Sequence, residues 1–192
     1  MPRGPSPQVR AALLEAAGRL FYERGIGTTG VEAVAGAAGV GKPALYRHFT
    51  SKAGLVDATL SKRDADRRQS LSKVLERASA SPAQRLQIAV DWQLEWVADA
   101  RFRGCGFVRA AAELEAGGEA AAARAHEHKT WYRSELETLA LAAGAADPAR
   151  LAMRLALIAE GATTLAFLGD RELVIREAST TARDLIRQAC PR

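Results

Sequence analysis

GAAGVGKPALYRHF, from Gly36 to Phe49, admits two readings. Its first eight residues, Gly36 to Pro43, fall one position short of the phosphate-binding P-loop G-x-x-x-x-G-K-[ST]. The whole stretch also reads as one helix closed by glycine and a second opening just after it. The flanks decide between them. A P-loop needs a buried strand feeding its glycines and a hydroxyl for the magnesium ion, and the hydroxyl position here is Pro43. Upstream stands TGVE, Thr29 to Glu32, with the spacing of a capping box that starts a helix. The glycines are therefore read as breaks between helices.

Working outward, Val9, Leu13, Ala16, Ala17, Leu20 and Phe21 recur at three- and four-residue intervals, which predicts a helix from Pro7 to a stop at Gly25. Residues 1–7, with Pro2, Pro5 and Pro7, read as a disordered arm. A second helix is expected from Gly30 to about Ala38, burying Val31, Val34 and Ala35 and ending at Gly39. The third should run from Lys42 to Phe49, with Pro43 tolerated in its first turn. Leu45 and Phe49 face inward in that helix, leaving Lys42, Ala44, Arg47 and His48 outward. Its length of about 12 Å suits a DNA major groove. Ser51 is placed to cap a fourth helix, beside whose N-terminus the Lys52 ammonium opposes the helix dipole. A docked phosphate would reverse that penalty.

Composition narrows the function classes. The 192 residues are 48% hydrophobic, rich in alanine and leucine, with seven prolines, and so favour helices. A net charge of +5 permits a polyanionic partner without demanding one. No uninterrupted apolar run reaches the roughly 18 residues of a membrane span, so no membrane partner is expected. The N-terminus lacks the apolar core of a signal peptide. Two cysteines, Cys105 and Cys190, make no disulfide framework, and a cytoplasmic location is expected.

Leu13 to Val56 resembles the N-terminal domain of the TetR family of bacterial transcriptional repressors. The resemblance rests on Leu20-Phe21, Gly25, Thr29, Val34-Ala35, Ala38-Gly39-Val40, Leu45-Tyr46, Phe49 and Lys52 in their joint spacing. It departs at Gly41, where serine is usual, at Ala44, where threonine is common, and at Gly54, a poor helix former. The resemblance implies an all-α fold of about nine helices. A three-helix helix-turn-helix domain at 1–51 would join a larger helical ligand-binding and dimerisation domain at 52–192. It also implies DNA contacts from Thr29, Lys42, Pro43, Ala44, Tyr46, Arg47, His48 and Lys52.

Beyond Leu60 the local signals agree with that architecture. Ser81 to Gln84 is a capping box with Pro82 at the first helical position. Gly104 breaks the helix that follows, and Phe107 to Leu114 reads as a short apolar helix before a long one at about 118–143. Pro148 opens a helix with Leu151, Leu155, Ile158, Ala162 and Leu165 at heptad-like spacing, and Gly169 ends it. Asp170 caps the last, which carries Ile175, Ala178, Ala182 and Leu185. In proteins of this family the last two helices pair across a dimer, so these nine residues are the candidate dimer interface. Trp92, Glu95, Trp96, Phe107, Glu113, Leu114, Trp131 and Glu160 are the candidate lining of a pocket for a small apolar, aromatic or cationic effector.

No catalytic grouping emerges. His126 and His128 point in different directions on one helix, no C-x-x-C or G-x-S-x-G occurs, and no metal or cofactor is expected. Cys105, between two glycines, reads as a candidate exposed thiol. The expected function is a homodimeric regulator, acting as a repressor, that binds a palindromic DNA operator and is released by a small hydrophobic ligand. The competing reading is a helical carrier or enzyme that keeps the N-terminal domain as scaffold.

Overall fold

A computed structural model describes residues 6–113 and 118–190. Leu114 and the first five residues of the expected N-terminal arm lie outside the described residues. Among the described residues the fold is all-helical, with nine helices and no strand. They are α1 (Pro7–Arg24), α2 (Val31–Ala37), α3 (Lys42–His48), α4 (Lys52–Arg77), α5 (Pro82–Ala98), α6 (Gly106–Glu113), α7 (Gly118–Ala142), α8 (Pro148–Leu168) and α9 (Arg171–Ala189).

The chain divides into two compact units, residues 1–67 with 105–127, and residues 68–104 with 128–192. The division falls within α4, between residues 67 and 68, and residues 105–127 return to the first unit.

In the first unit, α1 buries Leu13, Leu14, Ala16, Ala17, Leu20 and Phe21. It stops at Gly25, whose φ of 97° is open only to glycine at little cost. Its N–H donates to the Phe21 carbonyl. The capping box expected at Thr29 does not form. Gly30 is the N-cap of α2, and the Thr29 hydroxyl, 2% exposed, donates instead to the Gly25 carbonyl at 2.7 Å. A threonine hydroxyl can accept from a helix-opening N–H or donate to a nearby carbonyl, and here it donates to the carbonyl of the preceding turn. Gly39, at φ 70°, ends α2, and Val40 N–H closes back on the Ala35 carbonyl. α3 starts at Gly41 without a side-chain cap, as that residue predicts. Leu45 and Phe49 bury against α1 and α2.

The second unit is a helical core. The Ser81 capping box forms in full, with both reciprocal bonds. Asp147 caps α8 and Asp170 caps α9, each accepting a backbone N–H three residues on. Leu86, Val90, Leu136 and Leu155 fill the interior, where Ala89, Ala152, Ala159 and Ala182 let the helices approach closely. α8 is long and apolar enough to cross a membrane by length and composition, but its buried stripe packs with α5 and α9. Only 39% of its most apolar stretch is buried, however. The remainder is an open apolar face: Leu157, Leu165 and Leu168 are 63%, 59% and 75% exposed, beside Met153 and Phe167.

Candidate nucleic-acid interface

The core contacts of Leu45 and Phe49 fix which side of α3 turns to solvent. Lys42, Pro43, Tyr46 and Arg47 are exposed, while Ala44 and His48 are half-buried at the edges. Seven residues at 1.5 Å each give a rod of about 10 Å. The next helix begins with half-buried Lys52 and has no acidic residue in its first turn. Ser51 caps it, its hydroxyl oxygen accepting from Gly54 N–H at 3.0 Å. An exposed face therefore carries Lys42, Arg47 and Lys52 together with two backbone N-terminal ends, the arrangement that meets an anionic backbone.

Two features were not read from the sequence. Lys42 is ion-paired with Glu32 of α2. That hydrogen bond holds the Glu32 carboxyl below the usual carboxylate range and raises the Lys42 ammonium above its own. The ten-residue separation offered no helical register to reveal it. The second is a brace from α6 onto the end of α1. The Glu113 carboxylate accepts from Ile26 N–H at 2.6 Å and more weakly from Gly27 N–H, while Arg109 donates to the Tyr22 carbonyl at 2.9 Å and pairs with Glu113. Thr29 has no part in the exposed face, because its hydroxyl is buried.

Sequence and structure comparisons bear on this geometry. The family model for bacterial regulatory proteins of the tetR family matches residues 13–59, the span of α1 to α4 that builds the face. The crystal structure of a putative TetR transcriptional regulator from Streptomyces avermitilis is 32% identical, with a TM-score of 0.77 over 94% of this chain and 97% of that one. The chain belongs to the TetR family of bacterial transcriptional regulators. A TetR-family regulator from Streptomyces coelicolor superposes with a TM-score of 0.87 at 25% identity, covering 96% of this chain and 97% of that one. The transcriptional activator FasR of Mycolicibacterium smegmatis is 39% identical over 89 residues, which is 46% of this chain but only 40% of FasR. TetR-family membership thus extends over the whole chain by fold, while the likeness to FasR is confined to part of each sequence.

The other candidate residues are redistributed in this TetR-family fold. Of the proposed pocket lining, Phe107 and Glu113 belong to the first unit, and Trp92, Glu95, Trp96, Trp131 and Glu160 to the second. The aromatic rings pack against neighbouring side chains. Trp92 stands edge-on to Trp131 at 6.5 Å and donates to the Ser70 hydroxyl, and Trp96 packs edge-on to Phe102 at 4.9 Å. Glu95 is exposed and Glu160 pairs with Lys129. Glu113 is occupied by the brace. Of the candidate dimer residues, Leu151, Leu155, Ala162, Ala178 and Ala182 are buried in the protomer's own core, Ile158, Ile175 and Leu185 are half-buried, and Leu165 is exposed. Cys105, 8% exposed, is a buried thiol rather than an exposed one.

Proposed function

We propose that the chain is a homodimeric regulator of transcription, acting as a repressor, that lays α3 of each protomer in the major groove of a palindromic operator. The observation that carries the reading is the outward basic face of α3 beside the N-terminus of α4. In this reading Lys42, Pro43, Ala44 and Arg47 approach base edges, and Tyr46, His48 and Lys52 hold phosphates. Two-fold symmetry makes the half-sites an inverted repeat, and their centres lie one helical turn or a whole number of turns apart so that both helices meet the same side of the duplex. Pairing uses the open apolar face of α8, Met153, Leu157, Leu165 and Leu168, with Leu173 at the start of α9. A contiguous apolar face of this kind marks an association surface. A small hydrophobic ligand releases the DNA by binding the DNA-incompetent state more tightly.

Anisotropy titrations over a range of salt test the division of labour on α3. Lys52→Ala should weaken every DNA alike and flatten the slope of log affinity against log salt by about one phosphate's worth. Arg47→Ala should instead erase discrimination at one base position, about tenfold or more between right and wrong base. An unchanged salt slope for Lys52→Ala removes that residue from the phosphate contacts.

The Glu32–Lys42 pair is a built-in competitor for DNA. Glu32→Gln frees the ammonium and removes a carboxylate from the approach to phosphate, so affinity for any DNA should rise about two- to fivefold. A loss of affinity would mean that Glu32 orients Lys42 productively and does not compete with the phosphates.

A further inference from the structure

The first unit contains a cleft of about 460 Å³ between α1, α4 and α6. That volume lies within the range of small-molecule sites. Leu14, Phe21, Val56, Leu60 and Ala110, all buried side chains, give it an apolar wall. Its charged residues compensate one another. Arg19 pairs with Glu23, Lys62 with Asp66 and Arg109 with Glu113, and Arg63 lies over the Tyr22 ring, 4.5 Å from its centre. Glu15 is exposed to solvent. Counted with Glu23, the four cations of the cleft meet four carboxylates, and neither sign is left in excess. The buried Thr59 hydroxyl is committed too, donating to the Leu55 carbonyl at 2.7 Å. A charged guest would lose hydration against the apolar wall without gaining an unpaired counter-charge. An uncharged guest escapes that penalty.

Gly18 is the second observation. It lies inside α1 and lines the cleft. Glycine within a helix is destabilising relative to alanine. Yet a Cβ there would meet only the Thr59 methyl, at an ordinary contact distance of 3.6 Å. The protein's own packing admits a side chain at this place, and glycine leaves that part of the cleft open.

We propose that this cleft is a binding site for a compact uncharged organic molecule, seated over Gly18 with its hydrocarbon against Leu14, Phe21, Val56, Leu60 and Ala110. The site belongs to the first unit, whereas Trp92, Trp96 and Trp131 belong to the second. Its regulatory meaning rests on the DNA-binding reading above. The guest lies against Ile26 and Glu113, the two ends of the brace at the turn from α1 into α2. Whatever factor the guest changes DNA affinity by, DNA changes guest affinity by the same factor.

The test is calorimetric titration of the full chain, without DNA, with adamantanol, adamantane carboxylate and adamantylammonium, which share one rigid hydrocarbon body. Hydrogen exchange of the adamantanol complex then locates the site. Adamantanol should bind about tenfold more tightly than either ion. Protection should fall on peptides from α1, the first half of α4 and α6. Gly18→Leu places a side chain in the cleft and should lower adamantanol affinity about tenfold or more, while the better helix former leaves the melting temperature no lower. The probe series on the unmodified chain keeps the result independent of how that variant folds. Absence of adamantanol binding, an ion that binds as tightly, protection confined to α5, α8 and α9, or unchanged affinity in a folded Gly18→Leu chain would overturn the proposal. Since these measurements contain no DNA, their failure leaves the DNA-binding reading intact. Failure of that reading would appear separately, as no binding to DNA by a chain that still takes up adamantanol.

Discussion

A chain carrying both Leu157→Arg and Leu165→Arg should sediment as a monomer at concentrations where the unmodified chain is a dimer, and should lose about 100-fold or more in operator affinity. Both side chains are exposed in the protomer, at 63% and 59%, so the substitutions leave its own core untouched. In a dimer the same positions would become buried, and an unpaired charge there is strongly destabilising. The loss on DNA follows from geometry. A dimer engages its second half-site at high effective concentration, and a monomer forfeits that advantage, worth about 10² to 10⁴. Circular dichroism should remain that of a folded helical protein. Ala162→Arg provides the contrast. Ala162 is 3% exposed within the second unit, so its replacement should unfold that unit rather than separate two intact protomers. A doubly substituted chain that stays dimeric with normal affinity would move the interface off the open face of α8.

The second large effect is expected at the brace. Glu113→Ala removes the acceptor of the Ile26 N–H, and Ile26 is itself buried. A buried donor left without a partner costs about 1–3 kcal/mol. Arg109 loses its carboxylate partner at the same time. Hydrogen exchange at the Ile26 amide should accelerate about tenfold or more, with a smaller change in the second unit. Glu113→Gln keeps an acceptor oxygen at that place and should lie between the two. Equal exchange in all three chains would show that the N–H is protected by the turn alone.

The parts of this fold that were legible in the sequence are those set by neighbours in the chain. Gly25 and Gly39 ended helices because each needs a positive φ, and the Ser81 box and the Asp170 cap formed because donor and acceptor lie three residues apart. Thr29 shows the limit of that logic, since its hydroxyl can accept from a backbone N–H ahead or donate to a carbonyl behind, and only the folded turn selects between them. Heptad spacing identified α8 as doubly apolar but not which of its faces the protomer covers. Leu155 and Ala162 went to its own core, and Leu157 and Leu165 stayed outside. The two tryptophans of α5 share a helix face, yet the partners of one, Ser70 and Trp131, come from distant segments, and that of the other, Phe102, from the turn just after the helix. The outward face of α3 was readable because Leu45 and Phe49, four apart, left few ways to orient it. The Glu32–Lys42 pair and the Glu113 brace join separate helices, and no period in the sequence announces them.

In the proposed complex the exposed face of α3 reads DNA as a two-fold pair. Selection of genomic fragments by the purified chain, followed by sequencing of what is bound, tests it most directly. Enrichment is expected of an inverted repeat whose half-site centres lie about 10 base pairs, or a whole number of helical turns, apart. The same selection with Arg47→Ala should lose preference at one symmetric pair of positions while keeping the rest of the repeat. Enrichment of no sequence by the unmodified chain, or the same repeat recovered unaltered with Arg47→Ala and Lys42→Ala combined, would contradict it.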